Sequence, residues 1–369
     1  MARENMTSRR KFDHIILTLT ENVEKSDMTT GLEDIEFVHN ALPEVDFEET
    51  DVSIRFFGKR LSAPIVIASM TGGHPEAARI NALLARVAEE LNIAMGVGSQ
   101  RAALEDPSLV YTYRVARDNA PNAFLIANIG AAEIIERPVE VAERVVEMIE
   151  ADALAIHLNP LQEALQYEGK ARFRGVLRAI TRICENLDVP VIAKEVGFGI
   201  AREQAKLLKD AGVKGIDVGG AGGTNWARLE TIRVRLLGDL ERANIGKVFW
   251  KWGIPTAIST IEVAMEASDL TIIATGGVRT GLDAAKLLSL GADAVGIAYP
   301  LLKHAYEGNH DEVVRYLRRI MTEIRIVMFV TGSKKIEDLR RKNLIITGKT
   351  AEWLRLRGYD PGIFARRES

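Results

Sequence analysis

Short apolar runs rich in Val, Ile and Ala recur along the chain, and most end on Gly, Ser, Thr, Asn or an ionisable side chain. Eight such runs occupy 64–69, 93–96, 123–128, 153–157, 190–194, 215–218, 270–275 and 294–298. Their apolar stretch is continuous rather than alternating, which is the pattern of strands covered on both faces. Between them lie segments with apolar positions at helical spacing, 77–91, 139–150, 173–186, 201–211 and 282–290, several closing on Gly or Asn as helix ends do. Alternating strand and helix predict an α/β protein with a parallel sheet, and eight units are the number that closes a (β/α)8 TIM barrel. A doubly wound open sheet is the alternative architecture.

The pattern predicts a single domain over 1–369, with an N-terminal arm at 1–60, a barrel at 61–320 and a C-terminal helical extension at 321–369. A long insertion separates Gly219 from Leu270 after the sixth strand, roughly 50 residues where most such connections are far shorter. It leaves the face on which a barrel carries its chemistry and holds Trp226, Arg228, Arg233, Lys251 and Trp252. Such a segment serves either as a lid or as an extra helix at an oligomer contact.

Composition narrows the class without touching the chemistry. A hydrophobic content of 47% supplies ample core, and 48 basic against 51 acidic residues leave a net charge of -3, so no basic field argues for nucleic acid. The single cysteine, Cys184, sits in a helix-period segment, excludes an internal disulfide and points to a reducing compartment. Residues 1–11 are polar and charged, and no run approaches the roughly 18 apolar residues of a membrane span, so a cytoplasmic protein with no membrane partner is expected.

The chemistry concentrates where strands end. His157-Leu158-Asn159-Pro160-Leu161-Gln162-Glu163 follows the fourth strand, and Pro160 stops the ladder and sets the start of a short helix, so that four polar groups share one rim. Taken alone, this segment also reads as a capped helix start with a satisfied histidine. Glycine turns follow strands one, six and seven, at Gly72-Gly73, Gly219-Gly220 with Gly222-Gly223, and Gly276-Gly277, with Gly296 in strand eight. None fits the Rossmann spacing, whereas turns after strands six to eight match the phosphate cradle of a barrel. Gly348-Lys349-Thr350 resembles the tail of a phosphate loop but has Asn343 in place of its first glycine, and reads as a turn. Ser69, Thr71, Ser99, Arg101, Asn128 and Lys194 complete a ring of polar strand ends. Such a ring can hydrogen-bond the heteroatoms of a flavin, and a lysine beside it stabilises negative charge on the reduced form.

These residues resemble the type 2 isopentenyl-diphosphate isomerases, FMN-dependent barrels, over nearly the whole chain. The resemblance rests on Arg10-Lys11 with His14, Ala68-Ser69-Met70-Thr71-Gly72-Gly73, Gly98-Ser99-Gln100-Arg101, Asn128, the His157 to Glu163 segment, Lys194-Glu195-Val196-Gly197, Gly222-Gly223-Thr224 and Gly276-Gly277. It implies interconversion of isopentenyl and dimethylallyl diphosphate with reduced FMN and Mg2+, NAD(P)H serving to reduce the flavin, in a homo-oligomer of four or eight chains. It assigns FMN to Ala68, Ser69, Met70, Thr71, Ser99, Asn128, Lys194, Thr224, Gly276, Gly277, Ala298 and Tyr299. It assigns the diphosphate substrate to Arg10, Lys11, His14, Ser99, Gln100, Arg101, His157, Asn159 and Gln162, the metal to Glu163 and the catalytic role to Gln162. The residue types suit those tasks, because a diphosphate wants cations and donors and Mg2+ binds through one or two carboxylates plus phosphate oxygens.

Two other enzyme classes share such a barrel. A 2-hydroxy-acid oxidase resemblance requires a histidine-bearing run late in the barrel, where this chain has Asp217-Val218-Gly219-Gly220. An IMP-dehydrogenase-like enzyme needs a loop cysteine as nucleophile, which Cys184 does not offer. A non-catalytic scaffold leaves so many polar strand ends unexplained.

Overall fold

The computed structural model describes residues 6–24 and 28–367. Eight parallel strands close into a barrel: β1 Ile65–Ile67, β2 Ala94–Gly96, β3 Phe124–Gly130, β4 Ala153–Leu158, β5 Val191–Glu195, β6 Gly215–Asp217, β7 Thr271–Thr275 and β8 Ala294–Ile297. Closure comes from β8 pairing with β1, Val295 opposite Ile65 and Ile297 opposite Ile67. The strands fall on the eight predicted runs, and a sheet without edges replaces the open alternative. Every residue of β1, β2, β3, β6 and β8 is buried, which is why their sequences run apolar without alternation.

Helices enclose this sheet and explain the periodic segments. Pro75–Leu91 begins on a proline, whose missing N–H is no loss there, and ends at Asn92 in the left-handed region (φ 47). Pro138–Ile149, Val176–Asn186, Arg202–Asp210, Thr256–Glu266 and Gly281–Ser289 follow their strands. The ring closes with His310–Thr331, packed on Pro75–Leu91 and Gly281–Ser289, so one continuous helix runs through the boundary expected near 321.

The arm and the extension are joined. Ile35–Phe37 pairs antiparallel with Leu344–Ile346, so the two ends of the chain make one small ribbon. Thr350 N donates to Asp34 Oδ2 at 2.8 Å, which places a carboxylate where the Gly348-Lys349-Thr350 segment would otherwise meet a phosphate. Opposite the strand ends, the hairpin Ile54–Phe56 and Lys59–Leu61 plugs the barrel, with Phe56, Phe57 and Phe124 in mutual ring contact at 4.8–5.9 Å.

The C-terminal helix Gly348–Leu356 is tied to the barrel by Glu262, a fully buried carboxylate on Thr256–Glu266. It accepts from Trp353 Nε1 (3.0 Å), Arg357 Nε (2.9 Å) and Arg202 N (3.0 Å). Glu262→Ala leaves these donors without an acceptor and is expected to lower the unfolding free energy by about 2 kcal/mol or more. Urea unfolding measures this directly, and an unchanged midpoint would show that water replaces the carboxylate at no loss.

Candidate functional site

The carboxyl ends of all eight strands open into one cavity, and the N-terminal helix Met6–Thr20 lies across it. Ala68, Ser69, Met70 and Thr71 line it after β1, Ser99 and Arg101 after β2, Asn128 in β3, His157 and Asn159 at β4, and Lys194 in β5. Thr224 follows β6, Gly276 and Gly277 follow β7, and Ala298 and Tyr299 follow β8. Arg10, Lys11 and His14 enter from the helix above, and Gln162 and Glu163 from the short helix Pro160–Leu165. Every sequence-derived site residue therefore reaches one chamber except Gln100. That side chain is fully buried elsewhere: its amide donates to Val145 O (2.8 Å) and its oxygen accepts from Asn128 N (2.9 Å), so it braces β3 against Pro138–Ile149 and is not available to a substrate.

The half of the cavity under β7 and β8 is built for a phosphate. Gly276 and Gly277 have φ of 130° and 72°, and a Cβ on Gly277 would meet the Gly222 carbonyl oxygen at 2.6 Å. Thr275 Oγ1 is buried there without a hydrogen-bond partner, and Tyr299–Tyr306 presents an N-terminus with no side-chain cap. Arg279 also lines this side, over the Tyr299 ring at 5.6 Å, and pairs with Glu24. Across the barrel, Ser69, Ser99, Asn128 and Lys194 surround the remaining floor, while the Thr71 hydroxyl is engaged by Asn81 at 2.8 Å. A slot with donors on its rim and an anion cradle at one end fits FMN.

His157 is a neutral group. Burial, and then the charges of Lys11, Lys194, Arg10 and Arg101, lower it to about 3. With Asn128 assigned so that Oδ1 faces the ring at 2.8 Å, Nδ1 carries the proton and Nε2 offers a lone pair. Burial lowers His14 as well. His157 therefore adds no positive charge at the rim, where Arg10, Lys11 and Arg101 are the cations.

Those three differ in their partners. Arg101 is committed to Glu105 (2.8 Å) and Glu133 (3.1 Å). Among the described residues, Arg10 and Lys11 have no carboxylate within ion-pair distance, and the buried Arg10 Nε has no partner. Burial, with Arg10 and Arg101 nearby, lowers the Lys11 amine to about 7. Two cations held over a cavity with no carboxylate in contact with either make an anion site.

Behind Gln162 lies a network with no sequence signal. Asn159 stands at the helix start without capping it, and its Nδ2 donates to Gln162 Oε1 and Glu163 Oε1, each at 3.2 Å. Gln162 Nε2 donates at 3.1 Å to Glu230, a fully buried carboxylate on the insertion helix Trp226–Leu236. Burial would raise Glu230, but His14 (2.9 Å), Gln162 and Arg233 outweigh it and hold the carboxyl below its ordinary range. Arg233 also grips Glu168 (2.6 and 2.8 Å) and Asp13 (3.2 Å), so the insertion, the N-terminal helix and the Gln162 helix form one assembly. Sequence reading missed Glu230, Glu133, Gln166 and Thr275. Thr275 alone carried a usable signal, as the last polar residue of a strand.

Glu163 lines the cavity with Oε2 accepting from Lys170 N at 2.6 Å. No group of three acidic, histidine or cysteine side chains among the described residues could cage a metal. One cavity carboxylate still suits Mg2+ when phosphate oxygens and water complete the shell. Cys184 lies in Val176–Asn186 and burial pushes its thiol up to about 11, far from a nucleophile.

The comparisons agree with this geometry. The FMN-dependent dehydrogenase family model matches residues 2–154 and 148–346, so the chain is a flavin-type barrel of that class. It is 50% identical over 354 residues to an isopentenyl-diphosphate delta-isomerase of Methanosarcina barkeri, covering 96% of both chains. It is 49% identical over 362 residues to the protein of that name from Methanothermobacter thermautotrophicus, covering 98% of this chain and all of that one. The chain belongs to the isopentenyl-diphosphate delta-isomerase family. Solved structures of a lactate oxidase from Pediococcus acidilactici (TM-score 0.66, 17% identity, 92% and 93% covered) and of a mandelate oxidase (0.62, 19%, 92% and 97%) share the fold.

Lys11 makes the anion site sensitive to pH. Its amine is charged below about 7 and neutral above, so the wild-type protein should lose pyrophosphate affinity relative to Lys11→Arg as pH rises from 7 to 9. The expected loss is on the order of tenfold, one charge-assisted contact. Calorimetric titration of both proteins measures the ratio, and a ratio flat across that range would mean that Lys11 keeps its charge in the cavity.

Proposed function

We propose that the protein interconverts isopentenyl diphosphate and dimethylallyl diphosphate, using reduced FMN and Mg2+. The observation that carries this is the pair of uncompensated cations, Arg10 and Lys11, facing a cavity whose floor fits a flavin. The diphosphate is taken by Arg10, Lys11 and Arg101, and the hydrocarbon end points inward to Met70, Ile15 and Trp226. Ser69, Ser99, Asn128 and Lys194 hold the flavin ring, and Thr224, Thr275, Gly276, Gly277 and Tyr299 hold its phosphate. When bound and reduced, FMN supplies a ring nitrogen able to give and take a proton at the alkene.

Isomerisation needs a proton added at one carbon and removed from another. Gln162 is the protein group for one of these positions. An amide is a poor base alone, and the Glu230 carboxylate that accepts from its Nε2 fixes the orientation of the amide toward the reacting carbons. Glu163 contributes the carboxylate for Mg2+, with Lys170 N fixing its orientation. The N-terminal helix and the insertion exclude water from the reacting carbons. A nicotinamide donor reduces the flavin, and the protein works in the cytoplasm as a homo-oligomer. Exposed Leu236, Leu237, Leu240, Val248 and Trp252 on the insertion support assembly.

An isomerase needs reductant only to bring its flavin to the reduced state, whereas a hydride-transfer enzyme consumes one reductant per product. Bound flavin reduced once with dithionite under anaerobic conditions should therefore sustain many turnovers of isopentenyl diphosphate while staying bleached, and product formed in D2O should carry deuterium. Stoichiometric reoxidation would instead place the chain among the oxidoreductases whose fold it shares.

Glu163→Gln removes the metal's carboxylate while leaving the flavin contacts in place. The variant should stay folded and yellow, with the Mg2+ concentration for half-maximal rate raised at least tenfold or turnover abolished. A wild-type Mg2+ titration would assign the ion to another group.

A further inference from the structure

Lys194 is the next-to-last residue of β5 and faces the cavity, and its ammonium carries three protons. One goes to Asp217 Oδ2 at 2.8 Å and another to the carbonyl of Glu195 at 3.1 Å, which leaves the third for the cavity. Asp217 stands directly opposite Lys194 in the parallel ladder of β5 and β6 and is 5% exposed. It does not line the cavity, and its other oxygen accepts from Gly219 N at 3.3 Å. On the far side, β4 places His157 opposite Lys194, and that ring is neutral. The Glu195 carboxylate turns away, its Oε2 accepting from the amides of Val196 (2.6 Å) and Gly197 (2.7 Å). Asp217 is thus the counter-charge that touches the one cation built into the floor.

We propose that Asp217 is a positioning residue that sets the charge felt by the bound flavin. It aims the third Lys194 proton into the cavity and offsets most of the lysine's field, so that anionic forms of the ring gain less than a lone lysine would give them. This rests on the flavin reading above and deepens it. A barrel that oxidises its substrate benefits from a bare cation, which draws electrons onto the ring. A barrel that keeps its flavin reduced and uses it as acid and base benefits from a ring that retains its proton, and a compensated lysine provides that.

Sulfite reports on this charge independently of turnover, because its sulfur lone pair adds to N5 of the oxidised ring and leaves one negative charge on the flavin. In holoenzyme, Asp217→Asn should tighten sulfite on the order of tenfold, the equivalent of one pKa unit of differential stabilisation, and raise the flavin midpoint potential. Lys194→Met should weaken sulfite, leaving a bare carboxylate beneath the ring. Adding Asp217→Asn to Lys194→Met should restore sulfite affinity to within a few-fold of wild type, since a neutral pair replaces a neutral pair. If Asp217→Asn does not retain FMN, the comparison between the Lys194→Met single and double variants carries the test. Unchanged sulfite affinity on adding Asp217→Asn in both backgrounds overturns the proposal. A wild-type protein that binds no FMN overturns the flavin reading itself, which separates the two failures.

Discussion

Closure of the sheet is the constraint on which everything else depends. Because β8 pairs with β1 in fixed register, no strand can slide without breaking two ladders, and the eight carboxyl ends are held around one axis. Polar residues far apart in the chain, Ser69, Asn128, Lys194 and Thr275 among them, then face one chamber although their own strands do not pair with one another. The apolar interior makes this arrangement rigid. Core side chains such as Ile67, Met95, Leu125 and Ile156 are essentially inaccessible to solvent, so the floor of the site rests on a packed layer and not on loops.

Above that floor the organising force is electrostatic. Arg233 neutralises Glu168 and Asp13 and stands near Glu230, which in turn meets His14 and Gln162. Each carboxylate in that half of the roof has Arg233 or His14 close to it. In the other half Arg10 and Lys11 go unmatched, and burial makes the imbalance costly until an anion arrives. The roof is thus tied together by paired charges where it must hold its shape and left with unpaired cations where a charged ligand belongs.

The floor was legible in the chain because strand ends announce themselves: an apolar run stopping at Ser, Asn, Lys or Gly marks both a strand and the place where its side chains emerge. The family resemblance misled at Gln100, which it assigned to the substrate. Its amide is instead consumed by Val145 O and Asn128 N, a tertiary pairing that no local pattern encodes. Glu230 was invisible for a related reason. On a helix of the insertion it looks like any surface glutamate, and only the docking of three separate segments buries it completely. His157 was legible as a residue and not as a charge, since its neutrality follows from burial among Lys11, Lys194, Arg10 and Arg101.

The division between floor and roof also bears on how one barrel hosts different reactions. The fold shared with mandelate and lactate oxidases at 17–19% identity covers over 90% of this chain, so the frame persists where most side chains have changed. Strand-end residues, locked by closure, suit a cofactor whose shape does not vary. Arg10, Lys11 and Glu230 sit on the arm and the insertion, segments whose length the barrel does not dictate. New charges on those segments can then change what the barrel binds with no change in the sheet. The Lys194–Asp217 pair is the place where the two levels meet, because strand register puts the carboxylate beside the lysine and the cavity receives only the net result.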